Sequence, residues 1–134
     1  MTLPPPAPAV EIRELVLPML ANHHGTLFAG QGLQLMAKVA FMAAHSLARQ
    51  EVVMAGAKSI DFFSPIPIGH VLILRGQVVR VGRSSMTVQV SGQAEKAGSP
   101  AEDVLGGTFE MVAIGADGRP VAIDSPSPGK NFKK

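Results

Sequence analysis

The stretch that decides the fold is residues 30–49, GQGLQLMAKVAFMAAHSLAR. Apolar residues recur in it at three- and four-residue spacing, which places them on one face of a helix: Leu33, Met36, Ala37, Ala40, Ala44 and Leu47. Phe41 and Met42 add apolar groups on other faces, and Lys38 is the only charged residue of positions 31–48. A helix that is apolar nearly all round is typical of a buried helix. The sequence therefore predicts a long central helix that other elements cover.

Segments rich in Val, Ile and Thr surround this helix and predict strands at 10–17, 52–55, 59–63, 70–81, 84–94, 105–114 and 120–123. Residues 18–29 contain Pro, Asn and Gly and predict a loop before the helix. The later strands are separated by short turns, which favours antiparallel neighbours. The predicted fold class is α+β, with a curved antiparallel sheet of five to six strands wrapped around the central helix.

The length and composition suit one domain with a hydrophobic core, because the 134 residues are 46% hydrophobic and 16% charged. Prolines in residues 1–9 predict a flexible lead-in, and SPSPGKNFKK predicts a flexible basic tail over 125–134. Residues 10–124 form the predicted folded domain. The sequence has no signal-peptide pattern and no continuous apolar span, so a cytoplasmic protein without a membrane partner is expected.

Charge and cysteine content exclude several classes of function. Twelve basic and ten acidic residues give a net charge of +2, and Lys130, Lys133 and Lys134 lie in the last five positions. The rest of the chain is nearly neutral and lacks the clustered basic face that binding a nucleic acid requires. The absence of cysteine excludes disulfides, thiolate catalysis and cysteine zinc sites. No other metal site is predicted.

Four motifs in order along residues 10–123 carry a resemblance to a known family. They are NHHGTLFAG at 22–30, SIDFFSPI at 59–66, VGRSSM at 81–86, and a last hairpin from VAI at 112–114 to DGRP at 117–120. Together they resemble the hotdog-fold acyl-CoA thioesterases. The resemblance implies hydrolysis of an acyl-CoA to a carboxylic acid and CoA without metal or redox cofactor, since coenzyme A is part of the substrate. It also implies a homodimer or a higher oligomer, such as a dimer of dimers or a hexamer, with the site at the interface.

The first motif supplies two candidate catalytic residues. Gly30 lies at the predicted start of the helix, where unsatisfied N–H groups can stabilise a developing oxyanion. Glycine at this position lets a thioester carbonyl approach the backbone closely. By the resemblance, Asn22 orients water or substrate, since its amide has both a donor and an acceptor. Its alternative role is to shape the loop through side-chain hydrogen bonds.

The sequence departs from the family at the catalytic aspartate. Alignment on Gly30 and Met36 places that residue at position 37, where this chain has Ala37. No Asp or Glu occurs anywhere in residues 15–50, so the expected general base is missing from both the loop and the helix. Loss of a positioned acid–base group typically lowers a rate by about two to four orders of magnitude.

Two loop histidines are candidate replacement bases. His23 and His24 follow Asn22 directly, and an imidazole side chain is a common general base. Their alternative role is as exposed or subunit-contact residues. Asp61 is the nearest acidic residue by motif, and it also fits a strand-end hydrogen-bond acceptor. The alternative function for the chain is therefore a non-catalytic acyl-CoA-binding oligomer that has lost hydrolysis.

The third motif predicts the coenzyme A end of the site. Gly82, Arg83, Ser84 and Ser85 form a tight turn with a guanidinium, two hydroxyls and backbone amides, which can bind phosphate. The alternative is an ordinary hairpin with a surface arginine. The resemblance favours the CoA-binding role.

Overall fold

One long helix and five antiparallel strands make up the part of the chain that the computed structural model describes, residues 9–123. The elements are β1 (Val10–Leu15), a 3₁₀ turn (Pro18–Leu20), α1 (Ala29–Ala48), β2 (Val52–Phe62), β3 (Val71–Val81), β4 (Ser85–Glu95) and β5 (Glu102–Ala113). The strands form one sheet in the order β1-β3-β4-β5-β2. This arrangement confirms the predicted α+β hotdog class. The predicted tail and all but Ala9 of the predicted lead-in lie outside the described residues.

Helix α1 packs on one face of the sheet through small residues that allow a close approach. Its buried face consists of Gly32, Leu35, Met36, Val39, Ala40, Ala43, Ala44 and Ala48. A Cβ added to Gly76 of β3 would lie 2.6 Å from Val39 Cγ1, so glycine is needed where helix and strand meet. The prediction of a helix buried all round is wrong for a single chain, because Leu33 is 41% and Phe41 is 38% exposed. One sheet covers only one side of the helix.

Two strand predictions also need correction. The predicted strands 52–55 and 59–63 belong to the single strand β2, which is interrupted by register shifts between Met54 and Gly56 and between Lys58 and Asp61. Such bulges break the alternation of apolar and polar residues from which strands are predicted. The predicted strand 120–123 is not formed. Only an isolated bridge between Ile114 and Pro120 is present there within the described residues.

The connections place the predicted motifs at opposite ends of the sheet. The loop between β1 and α1 is hydrogen-bonded to the β2–β3 loop, through Leu27 N to the Ile66 carbonyl at 2.8 Å and Ile68 N to the Gly25 carbonyl at 3.0 Å. It therefore lies at the end where β3 begins, whereas the β3–β4 turn lies where β3 finishes. An 11-residue strand separates these two ends by about 35 Å. No helix within residues 9–123 is long and apolar enough to cross a membrane.

Candidate functional site

The side chain of Asn22 is held rigidly by its own loop. Its Oδ1 accepts hydrogen bonds from the backbone N–H groups of His24 at 2.9 Å and Thr26 at 3.1 Å. Its Nδ2 donates to Thr26 Oγ1 at 3.0 Å, and the Thr26 hydroxyl also lies 3.3 Å from Oδ1. The amide oxygen is therefore occupied, whereas Nδ2 has a second N–H to offer. Asn22 shapes the loop, as its alternative role predicts, and it also keeps a hydrogen-bond donor for a ligand.

A largely apolar cavity of about 340 Å³ lies beside Asn22. Its walls come from the β1–α1 loop, the start of α1 and the end of β2, and they include Leu27, Ala29, Phe62 and Ile66. A Cβ added to Gly32 would lie 2.9 Å from Phe62 Cε1, so this glycine of α1 lets the Phe62 ring rest on the helix. The cavity thus joins an apolar lining with one oriented amide, a combination that suits an acyl group next to a polar reacting centre.

The start of α1 leaves backbone donors available at the same end of the sheet. The first helical residue is Ala29, and Phe28 precedes it without a side-chain cap. The Phe28 carbonyl accepts from Gln31 N at 2.9 Å and Gly32 N at 3.1 Å. The N–H of Gly30 has no acceptor within the described residues. Together with the positive end of the helix dipole, this exposed N–H is suited to an oxyanion.

The other predicted catalytic positions do not reach this cavity within one chain. Ala37 is half-buried on α1, about 12 Å along the helix axis from its start. His23 and His24 are exposed and pack on each other, with ring centroids 3.9 Å apart. None of these residues lines the cavity, and Gly30 does not line it either. Among residues 9–123, no cluster of three or more His, Asp or Glu side chains could hold a metal ion.

The predicted CoA-binding turn is well ordered by backbone hydrogen bonds. Gly82 N donates to the Ser85 carbonyl at 2.7 Å, and the carbonyls of Arg83 and Ser84 accept from Ile123 N and Ala113 N, each at 2.8 Å. All these carbonyls are used within the chain. The Arg83 side chain is exposed and forms no hydrogen bond or ion pair with residues 9–123. The turn therefore presents a guanidinium to solvent, which fits both the predicted CoA-binding role and the alternative of an ordinary hairpin with a surface arginine.

Three residues next to this turn were missed by sequence reasoning: Arg80, Thr87 and Glu110. The Arg80 guanidinium donates to Ser85 Oγ at 3.1 Å and to Glu110 Oε1 at 3.1 Å. Turn composition carries no signal for them. They become visible only from the register of three neighbouring strands, in which Arg80 pairs with Thr87 and Thr87 with Glu110.

Comparison with known proteins agrees with this fold. The family model of the thioesterase superfamily matches residues 24–101. An uncharacterised acyl-CoA thioester hydrolase of Zymomonas mobilis is 36% identical over 125 residues, covering 89% of this chain and 82% of the relative. The chain belongs to the thioesterase superfamily.

Two groups of solved structures are closely similar. An acyl-CoA hydrolase of Staphylococcus aureus, solved with butyryl coenzyme A and coenzyme A, has a TM-score of 0.83 at 27% identity, covering 87% of this chain and 72% of that one. A hexameric broad-specificity acyl-coenzyme A thioesterase, solved as an aspartate-to-alanine mutant, has a TM-score of 0.81 at 30% identity, with 86% of each chain covered.

Other structures of the S. aureus enzyme are of single mutants. An asparagine, an aspartate and a threonine are each replaced by alanine in one of them. The asparagine and aspartate are 15 positions apart, which is also the separation of Asn22 and Ala37. The threonine follows the asparagine by 32 positions, as Met54 follows Asn22.

Proposed function

We propose that this chain hydrolyses acyl-CoA thioesters to a free carboxylic acid and CoA. The observation that carries the proposal is the Asn22 amide, held by Thr26 with one N–H to spare, beside an apolar cavity and an uncapped helix start. The similar proteins from Zymomonas mobilis and Staphylococcus aureus are named as acyl-CoA hydrolases, which supports the same reaction. Water and the thioester are the only reactants, so coenzyme A takes part as substrate and no resident cofactor enters the reaction.

In the proposed mechanism, backbone and amide donors stabilise the charge that develops on the thioester oxygen. The Gly30 N–H donates to this oxygen as water attacks the carbonyl carbon, and the helix dipole adds to the stabilisation. The Nδ2–H of Asn22 orients the water or the carbonyl. The attacking water passes one proton to a base, the tetrahedral intermediate collapses by breaking the C–S bond, and the departing CoA thiolate takes up that proton, so the products are the carboxylic acid and CoA. The acyl chain occupies the apolar cavity beside Phe62.

The proposed site requires a second copy of the chain, because the Asn22 loop and the Gly82–Ser85 turn lie at opposite ends of one sheet. Strand β2 is the edge of that sheet, and Val53 and Met54 on it are 44% and 39% exposed. Antiparallel pairing of two such edges about a twofold axis would place the Asn22 end of one copy beside the turn end of the other. Asn22 would then act beside α1 of the partner. A homodimer is the smallest such assembly, and the hexameric relatives support a higher oligomer built from such dimers, a hexamer.

We also propose that Ala37 occupies the place of a catalytic aspartate. The shared 15-residue separation from the asparagine supports this alignment. A methyl group cannot take a proton from water, so the oxyanion donors and Asn22 carry more of the rate acceleration than in an enzyme with the carboxylate. Because Ala37 cannot act as a base, fast turnover needs a base from another residue of the assembly.

The proposed activity is tested by release of free thiol from purified protein with acyl-CoAs of increasing chain length. We expect release above the buffer rate for at least one chain length, with the activity eluting in the protein peak on size-exclusion chromatography. Calorimetric titration with CoA in parallel measures binding. Tight binding of acyl-CoA with no thiol release at any chain length would contradict the proposal and leave a non-catalytic binding protein.

His23 is the proposed replacement base, since it follows Asn22 directly and its side chain is exposed. If His23 is the general base, His23→Ala is expected to lower kcat by about 10²- to 10⁴-fold with little change in KM. His24→Ala is the matched control, because it removes the neighbouring imidazole that packs on the His23 ring. This variant should retain activity. Steady-state thiol release measures both variants, and unchanged kcat in each would remove histidine from the mechanism.

A further inference from the structure

A bulge in β3 places an arginine on the outer face of the sheet next to the proposed CoA-binding turn. Leu72, Leu74, Gly76 and Val78 are buried against the helix, so strict alternation would also turn residue 80 inward. The register shift between Val78 and Arg80 reverses this, and Arg80 emerges on the exposed face opposite Thr87. Bulges commonly re-aim one side chain in this way.

Each of the three central strands contributes one residue to a hydrogen-bonded row on this face. Arg80 Nε donates to Thr87 Oγ1 at 2.8 Å, and Arg80 Nη2 donates to Glu110 Oε1 at 3.1 Å. The Thr87 hydroxyl in turn donates to Glu110 Oε2 at 2.8 Å. The hydrogen bond from Thr87, with the Arg80 guanidinium and the Lys58 charge, lowers the pKa of the Glu110 carboxyl. Glu110 is therefore ionised at neutral pH, and it fixes the orientation of the guanidinium.

The oriented guanidinium grips the β3–β4 turn. Arg80 Nη2 donates to Ser85 Oγ at 3.1 Å, and a Cβ added to Gly82 would lie only 2.8 Å from Arg80 Nη1. The arginine thus lies across the glycine and ties the far side of the turn to β3. Two constraints now act on the turn: backbone hydrogen bonds hold its carbonyls, and Arg80 holds its last hydroxyl. The Arg83 guanidinium is left outside this framework, facing solvent.

We propose that Arg80 is a positioning residue for the nucleotide phosphates of CoA: it orders the Gly82–Ser85 turn so that Arg83 and the turn amides meet a phosphate without rearranging. This role rests on the proposed thioesterase function. Within the motif, Ser85 and Arg83 then have different roles. The Ser85 hydroxyl accepts a hydrogen bond from Arg80 and stabilises the turn, whereas Arg83 contacts the phosphate. Glu110 and Thr87 act one step further away by orienting Arg80.

The kinetic signature of this role is a change in KM that depends on the phosphates of the substrate. Arg80→Ala is expected to raise KM for an acyl-CoA by about three- to tenfold, because the turn must then be ordered on binding. kcat should stay unchanged, since the reacting carbonyl lies at the other end of the substrate. With the matching acyl-pantetheine thioester, which lacks the nucleotide phosphates, the variant and the wild type should have equal KM.

Controls separate positioning from direct contact and from general damage. Arg75→Ala removes another exposed arginine of β3, remote from the turn, and should leave KM for acyl-CoA unchanged. Ser85→Ala should reproduce the effect of Arg80→Ala on KM, and the double variant should add nothing more, because both single variants remove the Arg80–Ser85 hydrogen bond that holds the turn. Fully additive effects would instead place Arg80 on the phosphate itself and overturn the positioning role.

Other results would also overturn the inference. They are an unchanged KM for acyl-CoA in Arg80→Ala, or an equal rise in KM for the pantetheine thioester. Failure of the thioesterase function can be distinguished from failure of the positioning role, because calorimetry with CoA measures binding at the turn without any need for catalysis. Weaker CoA binding by Arg80→Ala, with no hydrolysis by either protein, would support the positioning role while removing the enzyme function. Absence of both CoA binding and thiol release in the wild-type protein would overturn both.

Discussion

Replacing Ala37 by aspartate is expected to raise kcat for acyl-CoA hydrolysis by about 10²- to 10⁴-fold, the usual contribution of a positioned general base. The Ala37 side chain is half-buried on the helix, outside the face that packs on the sheet, so a carboxylate fits there without entering the core. Thiol release across pH 5 to 9 measures the gain. The activity of the Ala37→Asp variant should also persist to lower pH than that of the wild type, because a carboxylate stays deprotonated at lower pH than the imidazole of a histidine base.

A carboxylate elsewhere on the helix is the control for this gain. Gln34→Asp adds the same charge at an exposed position of α1, one turn earlier, and should leave kcat at the wild-type value. Thermal unfolding of both variants shows whether each is folded. An equal gain in the two variants would indicate a general charge effect, and a folded Ala37→Asp variant with wild-type kcat would show that position 37 does not face the reacting water.

Removal of the Asn22 side chain is expected to lower kcat by about 10²- to 10³-fold, the usual effect of losing one oriented hydrogen-bond donor at the reacting centre. Asn22→Ala also removes the loop hydrogen bonds to Thr26 and His24, so its effect combines donor and loop. The measurement is kcat and KM by thiol release, together with the unfolding temperature. The Ala37→Asp background widens the measurable range if wild-type turnover is slow.

Asn22→Asp separates the two contributions. A carboxylate oxygen can still accept from the backbone N–H groups of His24 and Thr26, so the loop should keep its conformation and its unfolding temperature. It offers no N–H, so kcat should fall as in Asn22→Ala. Thr26→Val, which removes the hydroxyl but keeps the amide, reports the loop alone. Wild-type kcat in Asn22→Asp would mean that the spare N–H has no role in the reaction.

Periodicity predicted the regular elements well where their alternation is unbroken. The helix was predicted at 30–49 and forms at Ala29–Ala48, because small and apolar residues repeat along it at helical spacing. Strand β2 was predicted in two pieces, since its register shifts and the positive φ of 55° at Ser59 interrupt the alternation. The exposed side of α1 could not be predicted either. A repeat of apolar residues does not say whether the chain itself or a partner covers them.

The candidate site was only partly predictable, for related reasons. The motif at 22–30 located the loop, but the fixed orientation of the Asn22 amide depends on the Thr26 side chain folding back on it. Near the turn, the motif indicated Arg83 and missed Arg80, because the bulge that exposes Arg80 is a property of the β3–β4 register. A residue that acts through pairing across strands leaves no local pattern in the sequence.

The separation of about 35 Å between the two ends of the sheet has a consequence for how defects combine in the proposed dimer. In that dimer, each site takes its Asn22 loop from one copy and its Gly82–Ser85 turn from the other. A chain with a defective loop still has an intact turn, and a chain with a defective turn still has an intact loop. In a mixed dimer, both defects fall in the same site and the other site is intact. Damage at the two ends of the sheet is therefore mutually compensating, whereas two defects at the same end are not.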